Sequence, residues 1–362
     1  MSEFRRDPIL REWVIIAPER ARRPSDFPQP DLPSNGALCP FCEGNESFTP
    51  PEIAAIRRPG SAPDGPGWQV RVVPNRFPAL RVERELVARP YGLFDVTSGV
   101  GAHEVIIETP EHVRSLATLP EQHVRAVVRM YYDRIQDLSQ DSRLKHVVVF
   151  KNVGAAAGAS LYHSHSQLIG LPIVPPRVEA ELRGAEAYHK QRGRCVYCDI
   201  VYEELDRDER VVLDLPQIVA VCPYASRFPF EVWLLPKQHI CRFQQSSDVL
   251  LEELATALKL VLLKLDLVLE QPAFNFVLHT SPYGGGDLPY YHWHLEIMPR
   301  LVGVAGFEFG SGVHINPAAP ETAAAFLRDA DVEGAFNGNG HSHTGWGYSQ
   351  RAGLSPRTRT SA

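Results

Sequence analysis

Apolar and polar positions alternate along this chain in two rhythms. Val124, Val127, Val128, Tyr131, Ile135 and Leu138 recur at spacings of three and four, which puts one apolar stripe on a predicted helix over 120–138. Leu250, Leu254, Leu258, Val261, Leu262 and Leu265 do the same for a second helix over 249–269. Between them lie short apolar runs bounded by Pro, Gly, Asn or charge. Those at 13–16, 72–73, 104–108, 146–150, 230–235 and 274–278 read as strands.

Taken in order, the elements come twice. Cys39-Pro40-Phe41-Cys42 precedes a strand that leads to Arg76-Phe77-Pro78, then a strand ending at Pro110-Glu111-His112, a helix, a strand, and His163-Ser164-His165. Cys195-Val196-Tyr197-Cys198 precedes Arg227-Phe228-Pro229, a strand leading to Lys237-Gln238-His239, a helix, a strand, and His292-Trp293-His294. The step from His112 to His163 is 51 residues and from His239 to His292 it is 53, an agreement hard to reach by chance. The first half carries an Arg- and Glu-rich insertion between Phe77 and His103. The expected organisation is a first repeat over 1–176 and a second over 177–328. A tail over 329–362, rich in Gly, Asn, Ser, Thr and Arg, is expected to be disordered. His341-Ser342-His343 lies in that tail and is set aside as a decoy.

Composition narrows the class. With 362 residues and 44% hydrophobic side chains the chain can fill a sizeable core. A net charge of −6 offers no general basic field for nucleic acid, so an anionic ligand must be met by local cations. No stretch has the eighteen or so apolar residues of a membrane span, and the first nine residues carry charges where a signal peptide needs an apolar core. A cytoplasmic protein without membrane contact is expected. In that compartment two Cys-x-x-Cys pairs read as metal ligation before disulfides.

Each half then supplies a Cys2His2 set, Cys39/Cys42/His112/His163 and Cys195/Cys198/His239/His292, of the kind that closes around zinc, giving two ions per chain. A competing set in the second half, Glu181/His279/His292/His294, would suit iron or zinc. His165 is left over from ligation. In a strand it shares a face with His163, and a neutral imidazole is a good nucleophile at phosphorus near pH 7. Around it, Gly154 and Gly158 allow close approach of backbone to a ligand, and Asn152, Ser160 and Gln167 offer neutral hydrogen-bonding groups. Asn75 ends its strand in a polar turn. Arg20 and Arg23 belong to a small basic cluster that reads either as a solvated loop or as a phosphate clamp.

The run Asn152–Gln167 resembles the motif Asn-x-Gly-Ala-x-x-Gly-x-Ser-x-x-His-x-His-x-Gln of the galactose-1-phosphate uridylyltransferase family, histidine-triad enzymes with two fused repeats, and the resemblance extends over about 4–328. It implies an α+β fold with antiparallel sheets flanked by helices, and a homodimer whose subunits complete each other's sugar sites. It further implies that His165 becomes nucleotidylated, that His163 ligates zinc, and that Gln167 bonds the transferred phosphoryl group. Arg20 and Arg23 would contact phosphate; Asn75, Asn152 and Ser160 would contact nucleotide and phosphate. The implied reaction is uridylyl transfer between UDP-glucose and a hexose 1-phosphate, in galactose and nucleotide-sugar metabolism. Two departures stand out. The familiar His-Pro-His-Gly-Gln is His-Ser-His-Ser-Gln here, and His314 lies about where many members have glutamine. The first keeps the metal-binding and nucleophilic positions; the second, within 303–317 where the family binds hexose, resembles the branch with plant-type ADP-glucose phosphorylases, which makes adenylyl transfer from ADP-glucose to phosphate the alternative. A zinc-stabilised nucleotide-binding module without turnover is the third reading.

Overall fold

The computed structural model describes residues 39–332 apart from Arg84 and Gly92, together with 3–6, 9–10 and 13–16. Arg20, Arg23 and residues 333–362 of the tail, with His341 and His343, lie outside the described residues. The first half contains β1 (Glu3–Arg6), β2 (Trp13–Ile16), β3 (Ala54–Arg57), β4 (Trp68–Pro74), β5 (Ala88–Tyr91), β6 (Phe94–Thr97), β7 (Ala102–Ile107), α1 (Glu121–Leu138), β8 (His146–Val153) and β9 (His165–Leu171). Next come α2 (Pro176–Arg192), α3 (Val196–Arg207), β10 (Val211–Asp214), β11 (Ile218–Val221), β12 (Val232–Pro236), α4 (Asp248–Leu269), β13 (Phe274–His279), β14 (His294–Pro299), α5 (Gly306–Ser311), β15 (His314–Asn316) and α6 (Pro320–Asp329). The insertion between Phe77 and His103 forms the β5–β6 hairpin.

Ten strands make one sheet in the order β10-β11-β12-β14-β13-β8-β9-β7-β4-β3, and every adjacent pair is antiparallel. The order is a palindrome about the β13–β8 junction, where Asn275 pairs with Asn152. That is the duplication made physical: each repeat contributes five strands and one long helix, and the sheet runs unbroken across the seam.

One face of the sheet packs on α1 and α4. Val147, Val149 and Leu168 from the first half, and Phe276, Leu278, Leu295 and Ile297 from the second, join Val124, Val127, Leu258 and Val261 in one buried cluster. Side chains alternate across a strand, so His165 and Gln167 point to the opposite face from Ser166 and Leu168. The two halves treat that opposite face differently. In the second half α2 and α3 roof it, burying Val219, Val221, Trp233 and Leu235 against Tyr197, Val201 and Ala185. In the first half only Phe41, Trp68, Val73, Val105 and Ile107 form a small cluster there.

The two long helices and the repeated strands match the apolar spacing. The strand argument for His163 and His165 does not hold, because β9 begins at His165 and His163 precedes it. Gly154 also has a packing reason to lack a side chain. At φ 81° a Cβ there would meet Ala273 Cβ of the second half at 2.7 Å.

Candidate functional site

Two Cys2His2 clusters are assembled as the repeat predicts, each with its four ligand atoms within 4.8 Å of one another. In the first, Cys39 Sγ lies 3.5 Å and Cys42 Sγ 3.6 Å from His163 Nδ1, and Cys42 Sγ lies 3.4 Å from His112 Nδ1. In the second, Cys198 Sγ lies 3.5 Å from His239 Nδ1 and 3.7 Å from His292 Nδ1. Such separations are what a tetrahedral ion with bonds of about 2.0–2.3 Å imposes on its ligands. Three of the four far ring nitrogens are also engaged in the way metal-ligating histidines are oriented: His163 Nε2 donates to Thr109 O at 2.8 Å, His292 Nε2 to Pro236 O at 2.8 Å, and His239 Nε2 to Leu288 O at 3.1 Å. Burial pushes His163 down to about 4, so its imidazole is neutral and Nδ1 keeps its lone pair. Both clusters could hold a metal ion.

The competing set is corrected by the structure. His292 belongs with Cys195, Cys198 and His239, and the carboxylate cluster is Glu181, His279, His294 and Glu296. The two groups therefore coexist, because β14 begins only at His294 and His292, ahead of it, turns to the cysteines instead. His279 Nδ1 lies 3.2 Å from Glu181 and its Nε2 3.5 Å from Glu296, while Arg227 pairs with Glu296 at 2.5 Å. Burial alone would lower the pKa of His279, but the two carboxylates outweigh it and push it up to about 10. A buried imidazolium and a guanidinium thus balance the carboxylates from within.

His165 sits at the start of β9, buried beneath the ring of Phe41 at 5.2 Å. Its Nδ1–H donates to His163 O at 2.7 Å, which leaves Nε2 with its lone pair. Burial first, and then the ammonium of Lys151, lower its pKa and keep the ring neutral. A narrow cleft brings His165 together with Arg114, Asn152, Gly154 and Tyr162. Asn152 Oδ1 accepts from Asn275 Nδ2 at 2.7 Å, an arm from the second half that leaves the Asn152 amide N–H groups to face a ligand. Ser160 is exposed on the loop leading to β9.

Gln167 is oriented by residues the sequence reading missed in part. The backbone N–H of Ala79 donates to His103 Nδ1 at 3.1 Å, so the proton of His103 resides on Nε2 and is donated to Gln167 Oε1 at 2.8 Å. Asn75 Nδ2 donates to the same oxygen at 3.3 Å. With its oxygen taken twice, Gln167 presents its amide N–H groups, the donors a phosphoryl oxygen needs. His103 was recognisable only as the polar end of a strand opposite β9. His314 sits on β15, which pairs in parallel with β2, and its ring meets Phe228 edge-on at 5.4 Å.

Comparisons with known proteins agree with this arrangement. The family described as galactose-1-phosphate uridyl transferase matches by its N-terminal domain over residues 1–175 and by its C-terminal domain over residues 181–330. The chain is 38% identical to an ADP-glucose phosphorylase of Arabidopsis thaliana over 91% of its length and 93% of the relative. It is 30% identical to a galactose-1-phosphate uridylyltransferase of Thermotoga maritima over 92% of its length and the whole of that protein. A crystal structure of an ADP-glucose phosphorylase from Arabidopsis thaliana with bound ADP-glucose superposes with a TM-score of 0.77 at 36% identity, covering 92% of this chain and all of that one. The duplicated sheet, the paired Cys2His2 clusters and the His-Ser-His-Ser-Gln run therefore have a common explanation: the chain belongs to the galactose-1-phosphate uridyl transferase family.

Proposed function

We propose that the chain transfers a nucleotidyl group from a nucleoside diphosphate sugar to a phosphate acceptor through a covalent intermediate on His165. The carrying observation is a neutral, buried imidazole whose Nδ1–H is fixed on His163 O, leaving Nε2 as the nucleophile at the edge of a polar cleft. His165 Nε2 attacks the α-phosphorus; the bond from that phosphorus to the bridging oxygen breaks, and sugar 1-phosphate leaves with the electron pair. A second phosphate acceptor then attacks the same phosphorus and returns His165 to its neutral form. Gln167 and Asn152 meet the equatorial oxygens through amide N–H groups, and Arg20 and Arg23 supply the positive charge.

Mixed thiolate and imidazole donors in tetrahedral sets suit zinc, and an ion at each cluster would act structurally, tying the Cys-x-x-Cys loop to the segment before β9 or β14. The family reaction, uridylyl exchange between UDP-glucose and a hexose 1-phosphate, is the first donor reading. Adenylyl transfer from ADP-glucose to phosphate is the second, favoured by the higher identity to the phosphorylase. A homodimer accords with α5, which exposes Phe307 and Phe309. Among the described residues no helix is long and apolar enough to cross a membrane; a cytoplasmic location remains the sequence-based expectation. Incubating the protein with labelled UDP-glucose and ADP-glucose tests the reading: an adduct on His165 that survives base and is lost in acid is expected with one donor. A turnover without any adduct would sink the covalent route.

A further inference from the structure

Behind His165, toward the helix-packed face of the sheet, lie four polar side chains, with Tyr131 of α1 against them, that the mechanism above leaves unused. Lys151 and Glu108 are both 0% exposed and pair at 2.5 Å. Lys151 Nζ also donates to Ser164 Oγ and to the main-chain oxygen of His165, each at 3.0 Å. Ser164 Oγ donates to Glu108 Oε2 at 2.6 Å; Ser166 donates to Glu108 Oε1, as does Tyr131 at 2.9 Å. The side chains that flank His165 in His-Ser-His-Ser are thus both held by one carboxylate, and its carbonyl by one ammonium.

The second half provides an internal control. Gln167 pairs with Phe150, and its counterpart Glu296 pairs with Val277, so Lys151 and Asn152 correspond to Leu278 and His279. Ser164 and Ser166 correspond to Trp293 and Leu295, and the stretch Ile106-Ile107-Glu108 to Leu234-Leu235-Pro236. Every member of the polar set is apolar there, and the same fold forms around it with Leu278, Trp293 and Leu295 in its core. A buried ion pair adds little or nothing to stability over well-packed apolar side chains, so folding does not account for its presence in the first half.

We propose that Lys151, Glu108, Ser164 and Ser166 are a positioning assembly that fixes the main chain of the nucleophile from behind. All four are buried, and although Lys151 and Ser164 border the cleft their polar atoms are spent on one another, on Glu108 and on the His165 carbonyl. Their effect is on where His165 Nε2 stands when the phosphorus arrives, a placement to which in-line attack is sensitive. The inference rests on nucleotidyl transfer at His165 and deepens it.

The test uses the full chain and a Glu108→Leu/Lys151→Met double variant, which removes both charges together so that no buried ion is left alone. Metal content, melting temperature and the rate of base-stable adduct formation are measured over a range of labelled UDP-glucose and ADP-glucose concentrations. Expected are unchanged metal content and melting temperature, a half-saturating donor concentration within about twofold, and an adduct rate lower by about 10–100-fold. A double variant that labels at the wild-type rate overturns the assembly and leaves the covalent mechanism standing. A wild-type protein labelled by neither donor overturns the mechanism and the assembly with it. Should the double variant fail to fold, Ser166→Ala decides: a rate loss at constant metal content and half-saturating concentration supports the assembly, and a wild-type rate overturns it.

Discussion

His165 and His294 hold the same place in their halves, yet their surroundings differ. Each follows a metal-site histidine by two residues, and each donates its Nδ1–H to that residue's carbonyl, at 2.7 Å and 3.1 Å respectively. Opposite His165 stands Asn152, a small amide; opposite His294 stands His279, stacked on it at 4.6 Å between ring centroids. Gln167 in one half is Glu296 in the other. The roof of α2 and α3 then closes over the second site, with Trp233 at 5.4 Å and Tyr197 at 5.1 Å from the His294 ring. The lesson is that a catalytic motif is defined by what surrounds it, since His-x-His alone describes both places equally well.

The comparison breaks most sharply at the two histidines themselves. His165→Gly should abolish turnover, by about 10⁴-fold or more, while keeping metal and fold, and a preformed nucleotidyl-imidazolide should restore the second half-reaction. His294→Gly should leave adduct formation within about twofold and instead lower stability by roughly 2–4 kcal/mol through an unfilled cavity. Rates measured on the two variants decide it; loss of adduct in His294→Gly would mean the halves are not functionally distinct.

At the neighbouring positions the halves should behave alike. His163→Ala and His292→Ala each remove one ligand of four, and elemental analysis should show bound zinc falling from about two to about one per chain, with no iron in the wild type. Iron at Glu181/His279/His294/Glu296 would replace the internal imidazolium by a metal and refute the charge balance described above.

Next in size is the charge cluster of the sealed half. Glu181→Gln should reduce stability by roughly 3–5 kcal/mol without slowing adduct formation, because it unbalances a buried ion set far from the chemistry. It also has a pH signature. His279 is raised in the folded protein from 6.5 to about 10, so its contribution is full below 6.5 and is lost as the pH rises toward 10. Melting temperatures of the wild type should therefore fall over that window, and those of Glu181→Gln should fall less.

Much of this was legible in the sequence, and the remainder was hidden for definite reasons. Repeated order and matched spacing were enough for the duplication and for both Cys2His2 clusters, because ligand identity and chain order suffice to group them; the antiparallel sheet was implied by the family resemblance. Membership of the carboxylate cluster depended on register: Glu296 reaches His279 only because β13 and β14 pair as they do. The helices α2 and α3 gave little periodic signal, since α2 is largely charged and buries only Val178, Glu181 and Ala185. Lys151 did leave a trace. It continues the alternation Val147, Val149, Lys151, Val153, where a cation on an otherwise apolar face calls for a buried partner.

The smallest effect is expected from the tail. Removing residues 333–362 should shift the melting temperature by no more than about 1–2 °C and leave labelling unchanged, because the segment lacks the apolar content to join a core. It serves as the control in which neither half is touched.

The palindromic sheet has a consequence for how such an enzyme can evolve. In a symmetric pair of identical chains, any change that plugs one site plugs its twin, so neither copy is free to experiment. Joining the two copies in a single gene lifts that restriction, and here the copies have parted: one keeps an imidazole at the edge of a polar cleft, and the other has a roofed interior in its place. The parting is incomplete. Asn275 still reaches across the seam to Asn152, so the roofed copy has become scaffolding for the open one and can be neither deleted nor allowed to drift at that position without being felt at the other.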